Sequence, residues 1–265
     1  MAKLTRSPGM FTKAIVRPPC ANFASGLTSV DLGAPVFELA LRQHEAYCRA
    51  LKDCGLSLKR LAPDEQHPDS TFVEDTAVLT VRGAVIARLG AASRLAETEE
   101  IERVLSPDFE RLRVIREPGT VDGGDVCEAA DHFFIGLSRR TNEAGASQLA
   151  GFLEELGYTS TLIDIRNLSN ILHLKSGLAY LGGNRVLVID ELKNLNSLAG
   201  YELINIRPEE AYAANCVWVN DRVLIASGFP ALQRQLEQLN YETVALDMSE
   251  FQKMDGGLSC LSLRF

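Results

Sequence analysis

The chain has 265 residues, of which 46% are hydrophobic, and it carries a formal net charge of -8 without any run of Lys or Arg. A nucleic-acid-binding surface needs a basic stripe, so we expect no nucleic-acid partner. The opening segment MAKLTRSPGMFTK has no apolar signal core, and no stretch reaches the roughly 18 apolar residues of a membrane span. These features predict a cytoplasmic protein that does not enter a membrane.

The cysteines and histidines do not show metal-binding or disulfide spacing. The cysteines lack C-x-x-C pairs, and the histidines form neither H-x-x-x-H nor H-E-x-x-H. We therefore expect reduced, mostly buried thiols and no metal site built on histidine ligands. The residues concerned are Cys20, Cys48, Cys54, Cys127, Cys216 and Cys260, with His44, His67, His132 and His173.

One unit recurs along the chain: a strand, a tight turn, a second strand, a helix and a third strand. The first copy is split, because its opening strand is the C-terminal GLSCLSLRF, while the N-terminal part of the chain supplies FTKAIVR, the helix VFELALRQHEAYCRALKDCG and the strand LSLKRLA. The second copy consists of TAVLTVRGAVIARLG, the helix ETEEIERVL and the strand RLRVI.

The third copy is the clearest, with GGDVCEAADHFFIGL, the helix TNEAGASQLAGFLEELG and the strand TSTLIDI. Thr141 or Asn142 can cap this helix, and Gly157 follows its last apolar position. The fourth copy has LHLKSGLAYLGGNRVLVID, a weaker helix and YELINI. The fifth has ANCVWVNDRVLIASG, with a short hairpin turn at Asn220 and Asp221, then FPALQRQLEQLN and YETVALD.

A repeat that takes its first strand from the opposite terminus closes a ring and leaves no exposed sheet edge. We therefore predict a single α/β domain over residues 1–265, a five-bladed propeller of ββαβ units around a central channel. The alternative is one open mixed sheet with helices packed on it.

Polar residues stand at or just before the first strand of each unit, and in a ring these positions converge on the axis. They are Glu74, Asp75, Asp122, Asp125, His173, Asn215, Ser259 and Cys260. A thiol beside an imidazole is a pair of groups typical of nucleophilic catalysis by cysteine. Several carboxylates need a cation, and a planar guanidinium matches them. Taken singly, each residue has a structural explanation: a core thiol, a core histidine, turn carboxylates and, for Arg94 and Arg140, solvated surface arginines.

Motifs in order along the chain resemble the dimethylarginine dimethylaminohydrolases, pentein-fold members of the guanidine-modifying enzymes. The matching segments are GLTS (26–29), HPDSTFVEDTAVL (67–79), EPGTVDGGDV (117–126), IGLSRRTNEAGA (135–146), LHLKSGLAYL (172–181), AANCVWVN (213–220) and KMDGGLSCLSLRF (253–265). The resemblance implies the same propeller and the hydrolysis of asymmetric dimethylarginine or monomethylarginine to citrulline, without a metal or cofactor.

The resemblance also implies roles for individual residues. Cys260 corresponds to the nucleophile, His173 to the general acid and then base, and Asp122 to the carboxylate beside that histidine. Glu74 and Asp75 correspond to residues around the guanidinium. The remaining substrate contacts correspond to Leu27 through its carbonyl and Asp69 near the α-amino group, Arg94 and Arg140 on the α-carboxylate, and Met254 through its backbone.

Other functions stay open at this point. Arginine deimination or another guanidine chemistry would use the same carboxylates, although two arginines on a carboxylate argue against agmatine as substrate. A non-catalytic propeller that only binds a partner is a minor alternative, and a serine hydrolase lacks its G-x-S-x-G motif. We expect a metal bound at Cys260 and His173 to inhibit. Segment 20–34 is a candidate lid, and a homodimer is a candidate assembly.

Overall fold

The computed structural model of the protein describes residues 10–265, so part of the opening segment discussed above lies outside the described residues. Five three-stranded sheets follow one another along the chain. Their strands are β1 (Lys13–Val16), β2 (Ser57–Arg60), β3 (Ala77–Thr80), β4 (Gly83–Ile86), β5 (Leu112–Val114), β6 (Val126–Ala129), β7 (His132–Leu137), β8 (Thr159–Asp164), β9 (Leu178–Tyr180), β10 (Arg185–Val188), β11 (Glu202–Asn205), β12 (Val217–Val219), β13 (Arg222–Ala226), β14 (Glu242–Leu246) and β15 (Leu263–Arg264).

Each sheet has the same internal order. Its middle strand is antiparallel to the strand before it and parallel to the strand after it, as in β6-β7-β8. In the four unsplit units a tight turn joins the antiparallel pair. In four of the five units an α-helix lies in the crossover between the parallel strands, as the sequence pattern predicts. At the predicted hairpin turn between β12 and β13, Asn220 has a φ of 55°, a left-handed conformation that asparagine tolerates.

The split unit is confirmed by the pairing of the two chain ends. Strand β15 runs antiparallel to β1 with Ala14 opposite Arg264, and β1 runs parallel to β2. The C-terminal strand therefore completes the sheet that the N-terminal strand begins, and the fold is the five-bladed α/β propeller predicted from the repeat.

The helices are α1 (Phe37–Asp53), α2 (Thr98–Leu105), α3 (Glu143–Glu155), α4 (Pro230–Gln238) and the short α5 (Ser249–Gln252). Of the two predicted caps of α3, Asn142 is the one used, since its side chain accepts a hydrogen bond from the Gly145 amide at 2.8 Å. Gly157 follows the helix with a φ of 81°, as expected for a glycine that ends a helix.

The predicted helix of the fourth unit is wrong. The chain there forms a single 3-10 turn, Asn196–Leu198, between β10 and β11. The segment ELKNLNSLAG contains two Asn, a Ser and a Gly, which favour turns over helix interiors. The short helix α5 was not predicted, and it lies between the last crossover strand and the segment that carries Cys260.

The outer helices cover the sheets and form the core with them. In the third unit, Ala146, Leu149 and Leu153 of α3 pack in one buried cluster with Phe133 and Ile135 of β7. Such burial is what keeps the inner ends of the strands fixed around the axis. No helix within residues 10–265 combines the length and the apolar character that a membrane crossing requires.

Candidate active site

A 3-10 turn precedes the first strand of every unit. A 3-10 turn is tighter than an α-helical turn, so each one reverses the chain sharply as it reaches the axis. These turns are Val73–Thr76, Gly123–Asp125, Leu174–Ser176, Pro208–Ala214 and Ser259–Leu261. The polar residues singled out in the sequence lie on these turns or directly beside them, so the repeat brings residues far apart in the chain to one place.

Eight of the ten predicted site residues line one cavity, named here the Cys260 cavity: Leu27, Asp69, Asp75, Arg94, Arg140, His173, Met254 and Cys260. Asp122 does not line it but lies directly behind His173. Glu74 faces a different cavity on the other side of the same turns.

Cys260 differs from the other cysteines because it alone keeps partial exposure, while the remaining five are buried. Burial in its surroundings raises the pKa of the Cys260 thiol from its ordinary 9.0 to about 12, and the carboxylates of Glu74 and Asp75 add to this rise. A hydrogen bond to the Gly257 backbone and the charge of Lys175 oppose the increase. The thiol is therefore protonated at neutral pH, and a cation placed beside it would favour the thiolate.

His173 is buried, and its Nε2 atom donates to Asp122 Oδ2 across 3.1 Å. Burial lowers the pKa of His173, but the negative charges of Asp75, Asp125 and Asp122 outweigh it and raise the pKa from 6.5 to about 9. Asp122 is fixed in turn by the Gly90 amide, which donates to its Oδ1 atom at 2.8 Å. The imidazole is thus held in one orientation and stays protonated at neutral pH, ready to act as an acid.

Asp125 was singled out in the sequence without an assigned role. It accepts hydrogen bonds from the hydroxyls of Ser138 (2.6 Å) and Thr141 (2.7 Å) and from the Leu174 amide (3.0 Å). Burial raises its pKa to about 6, although the charge of His173 and the two hydroxyls act against that rise. Because it binds the residue after His173, Asp125 positions the turn that carries the histidine.

Asp75 is held as an ionised group. Burial raises its pKa, but the charges of His173 and Arg94, together with hydrogen bonds, outweigh this and bring the pKa down to about 2. Arg94 Nη1 donates to Asp75 Oδ2 at 2.7 Å, and the Gly124 amide donates to Asp75 Oδ1 at 3.0 Å. These hydrogen bonds fix the orientation of the Asp75 carboxylate in the wall of the Cys260 cavity.

Arg94 is buried, not a solvated surface arginine. It also donates to both carboxylate oxygens of Glu97 and to the carbonyls of Phe72 and Asp69. Glu97 was missed in the sequence, although its i,i+3 spacing from Arg94 on one 3-10 helix was a usable signal. Arg94 therefore already neutralises two buried carboxylates, and binding of a substrate carboxylate would be in addition to this role.

Replacing Arg94 by Met is expected to lower the free energy of unfolding by about 3–5 kcal/mol, because the carboxylates of Asp75 and Glu97 would be left buried without their cation. Urea denaturation of the variant measures this loss. Arg140→Met is the matched control, with an expected loss under about 1 kcal/mol. Equal losses in the two variants would contradict the structural role of Arg94.

Arg140 is the arginine with free donor capacity. Its Nη1 atom is buried without a hydrogen-bond partner in the described structure and lies 3.9 Å from Asp122 Oδ2. A buried, unpaired guanidinium nitrogen costs free energy unless a ligand completes it. Arg140 is therefore the better placed of the two arginines to receive an incoming carboxylate.

Asp69 fixes the segment that carries Leu27. Both Asp69 oxygens accept from the Leu27 amide, at 3.0 and 3.1 Å. A Cβ atom on the preceding Gly26 would come within 2.4 Å of Asp69 Oδ1, so this close approach requires glycine. The Thr28 hydroxyl adds a hydrogen bond to the Lys253 carbonyl at 2.9 Å.

Glu74 binds three groups behind the Cys260 cavity. Its Oε1 atom lies 2.7 Å from Lys175 Nζ and accepts from Arg264 Nη2 at 3.1 Å, while its Oε2 atom accepts from the Ser259 hydroxyl at 2.6 Å. Asn215 completes the network, since it accepts from the Ser259 amide at 2.8 Å. Lys175 and Arg264 were missed in the sequence, although both belong to the repeat positions near the axis.

One oxygen each of Asp75 and Asp122 and a ring nitrogen of His173 lie within 4.8 Å of one another, a spacing that could hold a metal ion. Their charges are already balanced by Arg94 and by the hydrogen bond between His173 and Asp122. The expectation that the enzyme works without a metal stays a prediction.

The Cys260 cavity is lined by a thiol, a protonated imidazole and the carboxylates of Asp69, Asp75 and Asp255, together with Arg140, whose Nη1 atom is unpaired in the described structure. Such a site suits nucleophilic attack on a cationic group of a molecule that also has a carboxylate.

Known proteins share this sequence and fold. Residues 65–220 match the family model described as arginine deiminase. The chain is 44% identical to N(G),N(G)-dimethylarginine dimethylaminohydrolase of Pseudomonas aeruginosa, over 97% of this chain and 100% of the relative, and 36% identical to the protein of the same name from Streptomyces coelicolor, over 95% and 96%.

A solved structure of the Pseudomonas aeruginosa enzyme, a cysteine-to-serine mutant complexed with citrulline, superposes with a TM-score of 0.93 and covers 97% of this chain and 100% of that chain. Relatives of this identity, matched along nearly their whole length, share both the fold and the family. The chain belongs to the dimethylarginine dimethylaminohydrolase family.

Proposed function

We propose that this protein hydrolyses Nω-methylated arginines, asymmetric dimethylarginine and monomethylarginine, to citrulline and the corresponding methylamine. The observation that carries the proposal is the placement of Cys260, His173 and Asp75 around one cavity that also contains the open guanidinium of Arg140. The related Pseudomonas aeruginosa enzyme, whose structure contains citrulline, supports the same product.

The substrate itself completes the electrostatics of the site. Its guanidinium would lie beside Asp75, whose carboxylate is ionised and fixed by Gly124 and Arg94. The added positive charge offsets the carboxylates that raise the pKa of Cys260, so the thiolate forms when substrate is bound. Deprotonation is thereby coupled to the presence of the correct cation.

In the first half-reaction the Cys260 sulfur forms a bond to the guanidinium carbon. His173 donates its proton to the nitrogen that carries the methyl groups, and the carbon–nitrogen bond breaks to release the neutral amine. A thiouronium intermediate stays attached to Cys260, and Asp122 holds the imidazole, now neutral, in place.

In the second half-reaction the neutral His173 accepts a proton from water as the water oxygen attacks the thiouronium carbon. The carbon–sulfur bond then breaks, the proton of the new hydroxyl passes to the departing Cys260 sulfur, and citrulline leaves with the original carbon now double-bonded to oxygen. His173 is again protonated and Cys260 is again available, so the cycle balances with water as the only second substrate.

The experiment that tests the proposal is citrulline formation by the purified protein with asymmetric dimethylarginine, monomethylarginine, arginine and agmatine, each offered separately. Release of citrulline from the methylated substrates is the expected result. Turnover of arginine alone would replace the proposal by an arginine deiminase activity, and inactivity on all four would favour a binding protein.

Arg140 is expected to select substrates with a free α-carboxylate. Replacing Arg140 by Leu should raise KM for monomethylarginine about 10- to 100-fold, the loss of one charge-assisted hydrogen bond, and should change kcat less. Initial-rate kinetics measure both parameters, and Arg139→Leu, one residue away, is the control. A large fall in kcat without a change in KM would contradict a role in substrate binding.

Leu27, Asp69 and Met254 are proposed to contact the amino-acid end of the substrate, and segment 20–34 to act as a lid over it. The hydrogen bonds of Leu27 and Thr28 tie this segment to the cavity wall. Saturating citrulline should therefore slow limited proteolysis within 20–34. Cleavage at an unchanged rate would count against the lid.

The remaining expectations are proposals of the same standing. We propose that residues 1–265 form one domain and that the enzyme is cytoplasmic. A homodimer is the assembly to test first, by light scattering of the purified protein.

A further inference from the structure

A second cavity of about 250 Å³ lies on the axis behind the Cys260 cavity and is named here the Glu74 cavity. Residues of the first strands line it, including β3, β6, β9, β12 and β15, beyond the 3-10 turns that carry the catalytic groups. Neither Cys260 nor His173 lines it. The two cavities are thus separate spaces along one channel.

Four interacting residues in the lining of the Glu74 cavity, together called the floor, are Glu74, Lys175, Arg264 and Ser259, and none of them lines the Cys260 cavity. Lys175 and Arg264 both pair with the single carboxylate of Glu74, so these three charges leave one net positive charge at the floor. Over the whole lining of the cavity, the carboxylate of Glu128 balances that charge. The ammonium group of Lys175 has three donor hydrogens. Within residues 10–265, the ion pair described for this ammonium is the one with Glu74. The floor therefore has unused donor capacity beside a positive charge.

The walls of the Glu74 cavity are mainly apolar and aromatic, with Phe133, Tyr180, Trp218 and Leu263 among them. The carboxylate of Glu128 also lines the cavity. Glu128 lies on β6, three residues after the 3-10 turn Gly123–Asp125. An apolar cavity with a few convergent polar groups at one end is the usual form of a small-molecule site.

We propose that the Glu74 cavity binds a small carboxylate with an uncharged aliphatic or aromatic body. The carboxylate would meet Lys175 at the floor, because Arg264 already donates to the carbonyls of Ser259 and Ser262, to the Ser262 hydroxyl and to Glu74. The body would lie against the apolar walls. Because the cavity is smaller than the roughly 300–1,000 Å³ of sites for drug-sized ligands, its occupant must be small.

Occupancy of this cavity should affect the catalytic thiol, because three of the four floor residues lie within two residues of Asp75, His173 or Cys260 in the chain. Glu74 precedes Asp75, Ser259 precedes Cys260, and Lys175 lies two residues after His173. Lys175 favours the Cys260 thiolate and Glu74 disfavours it. A further negative charge on the floor would weaken the effect of Lys175, so the bound carboxylate should inhibit without competing with the substrate.

The direct test is isothermal titration of the wild-type protein with hexanoate, with hexanamide as the neutral control, in the absence and presence of saturating citrulline. We expect hexanoate to bind at least about 10-fold more tightly than hexanamide, the difference made by a charge-assisted contact. Citrulline should leave that affinity unchanged. Displacement of hexanoate by citrulline would place it at Arg140 and overturn the proposal, as would equal binding of the two probes or none.

Two variants test the site itself. Lys175→Met should weaken hexanoate binding at least about 10-fold, while Lys193→Met, which removes an exposed lysine paired with Asp190, should not. Leu79→Trp, which narrows the cavity from its wall, should weaken binding and leave the floor charges intact. Unchanged affinity in both cavity variants would overturn the proposal.

Inhibition kinetics give a further test that rests on the proposed function, whereas the titration does not. Failure of the cavity proposal can therefore be distinguished from failure of the proposed function. With monomethylarginine as substrate, hexanoate should lower kcat and leave KM unchanged. It should also slow alkylation of Cys260 by iodoacetamide at pH 8, a readout that needs no turnover. Purely competitive inhibition would contradict a separate site.

Discussion

Cys260→Ser is expected to lower citrulline formation from methylated arginines by a factor on the order of 10⁴ or more, the scale seen when a covalent nucleophile is removed. The hydroxyl of serine is a much weaker nucleophile and ionises far less readily than a thiol, and it replaces sulfur with little change of volume. The variant should therefore fold normally and still bind substrate. Citrulline release measures the activity, and thermal unfolding verifies the fold.

Cys216→Ser is the matched control, because Cys216 lies near the axis at the start of the fifth unit but is buried and faces the Glu74 cavity. Its burial raises the pKa of the thiol to about 12, the same value as for Cys260. The two cysteines thus differ in position and not in acidity. Loss of activity in Cys216→Ser with retention in Cys260→Ser would contradict the assignment of the nucleophile.

The high pKa of Cys260 also predicts how the enzyme avoids reacting with other molecules. A thiol that stays protonated in the empty site is a poor target for oxidants and alkylating agents. In the mechanism proposed above, attack becomes efficient when a guanidinium lies against Asp75. The substrate is then both the reactant and the charge that activates the nucleophile.

Much of the architecture follows from local signals in the sequence. The hairpin turn at Asn220 and the helix cap, which the sequence narrowed to Thr141 or Asn142, each depend on a few neighbouring residues. The split first unit joins the two chain ends and follows from the order of strands in the repeat. The positions at which Cys260 and His173 reach the axis follow from the repeat alone, since equivalent turns must point to the same place.

Other features depend on contacts that no local pattern encodes. Glu74 and Asp75 are adjacent, yet they face opposite sides of one turn, so their carboxylates serve different cavities. Arg94 is buried because it pairs with Asp75 and Glu97, and these contacts depend on tertiary packing. The fourth unit has a short 3-10 turn where a helix was predicted, because the segment contains weak helix formers.

His173→Gln is expected to lower kcat about 10² to 10⁴-fold, the usual contribution of general acid–base catalysis, because the departing amine would leave without a proton donor. The pKa of His173 is raised from 6.5 to about 9, so the acid form persists up to about pH 9. The pKa of Cys260 is about 12, which makes the reactive thiolate scarcer as pH falls. For wild type, kcat/KM should therefore rise with pH until about 9 and then level off, as loss of imidazolium cancels the gain of thiolate.

Asp122→Asn separates the role of charge from that of geometry. The amide keeps the shape of the side chain but removes a negative charge that raises the pKa of His173, so the break in the pH profile should move below 9. The same shift should appear in stability. A raised histidine pKa contributes stability that is complete below pH 6.5 and is lost as pH rises through about 9, so in the variant this loss should be smaller and should end at a lower pH. An unchanged break in Asp122→Asn, or a break near pH 9 that survives in His173→Gln, would show that another group governs the profile.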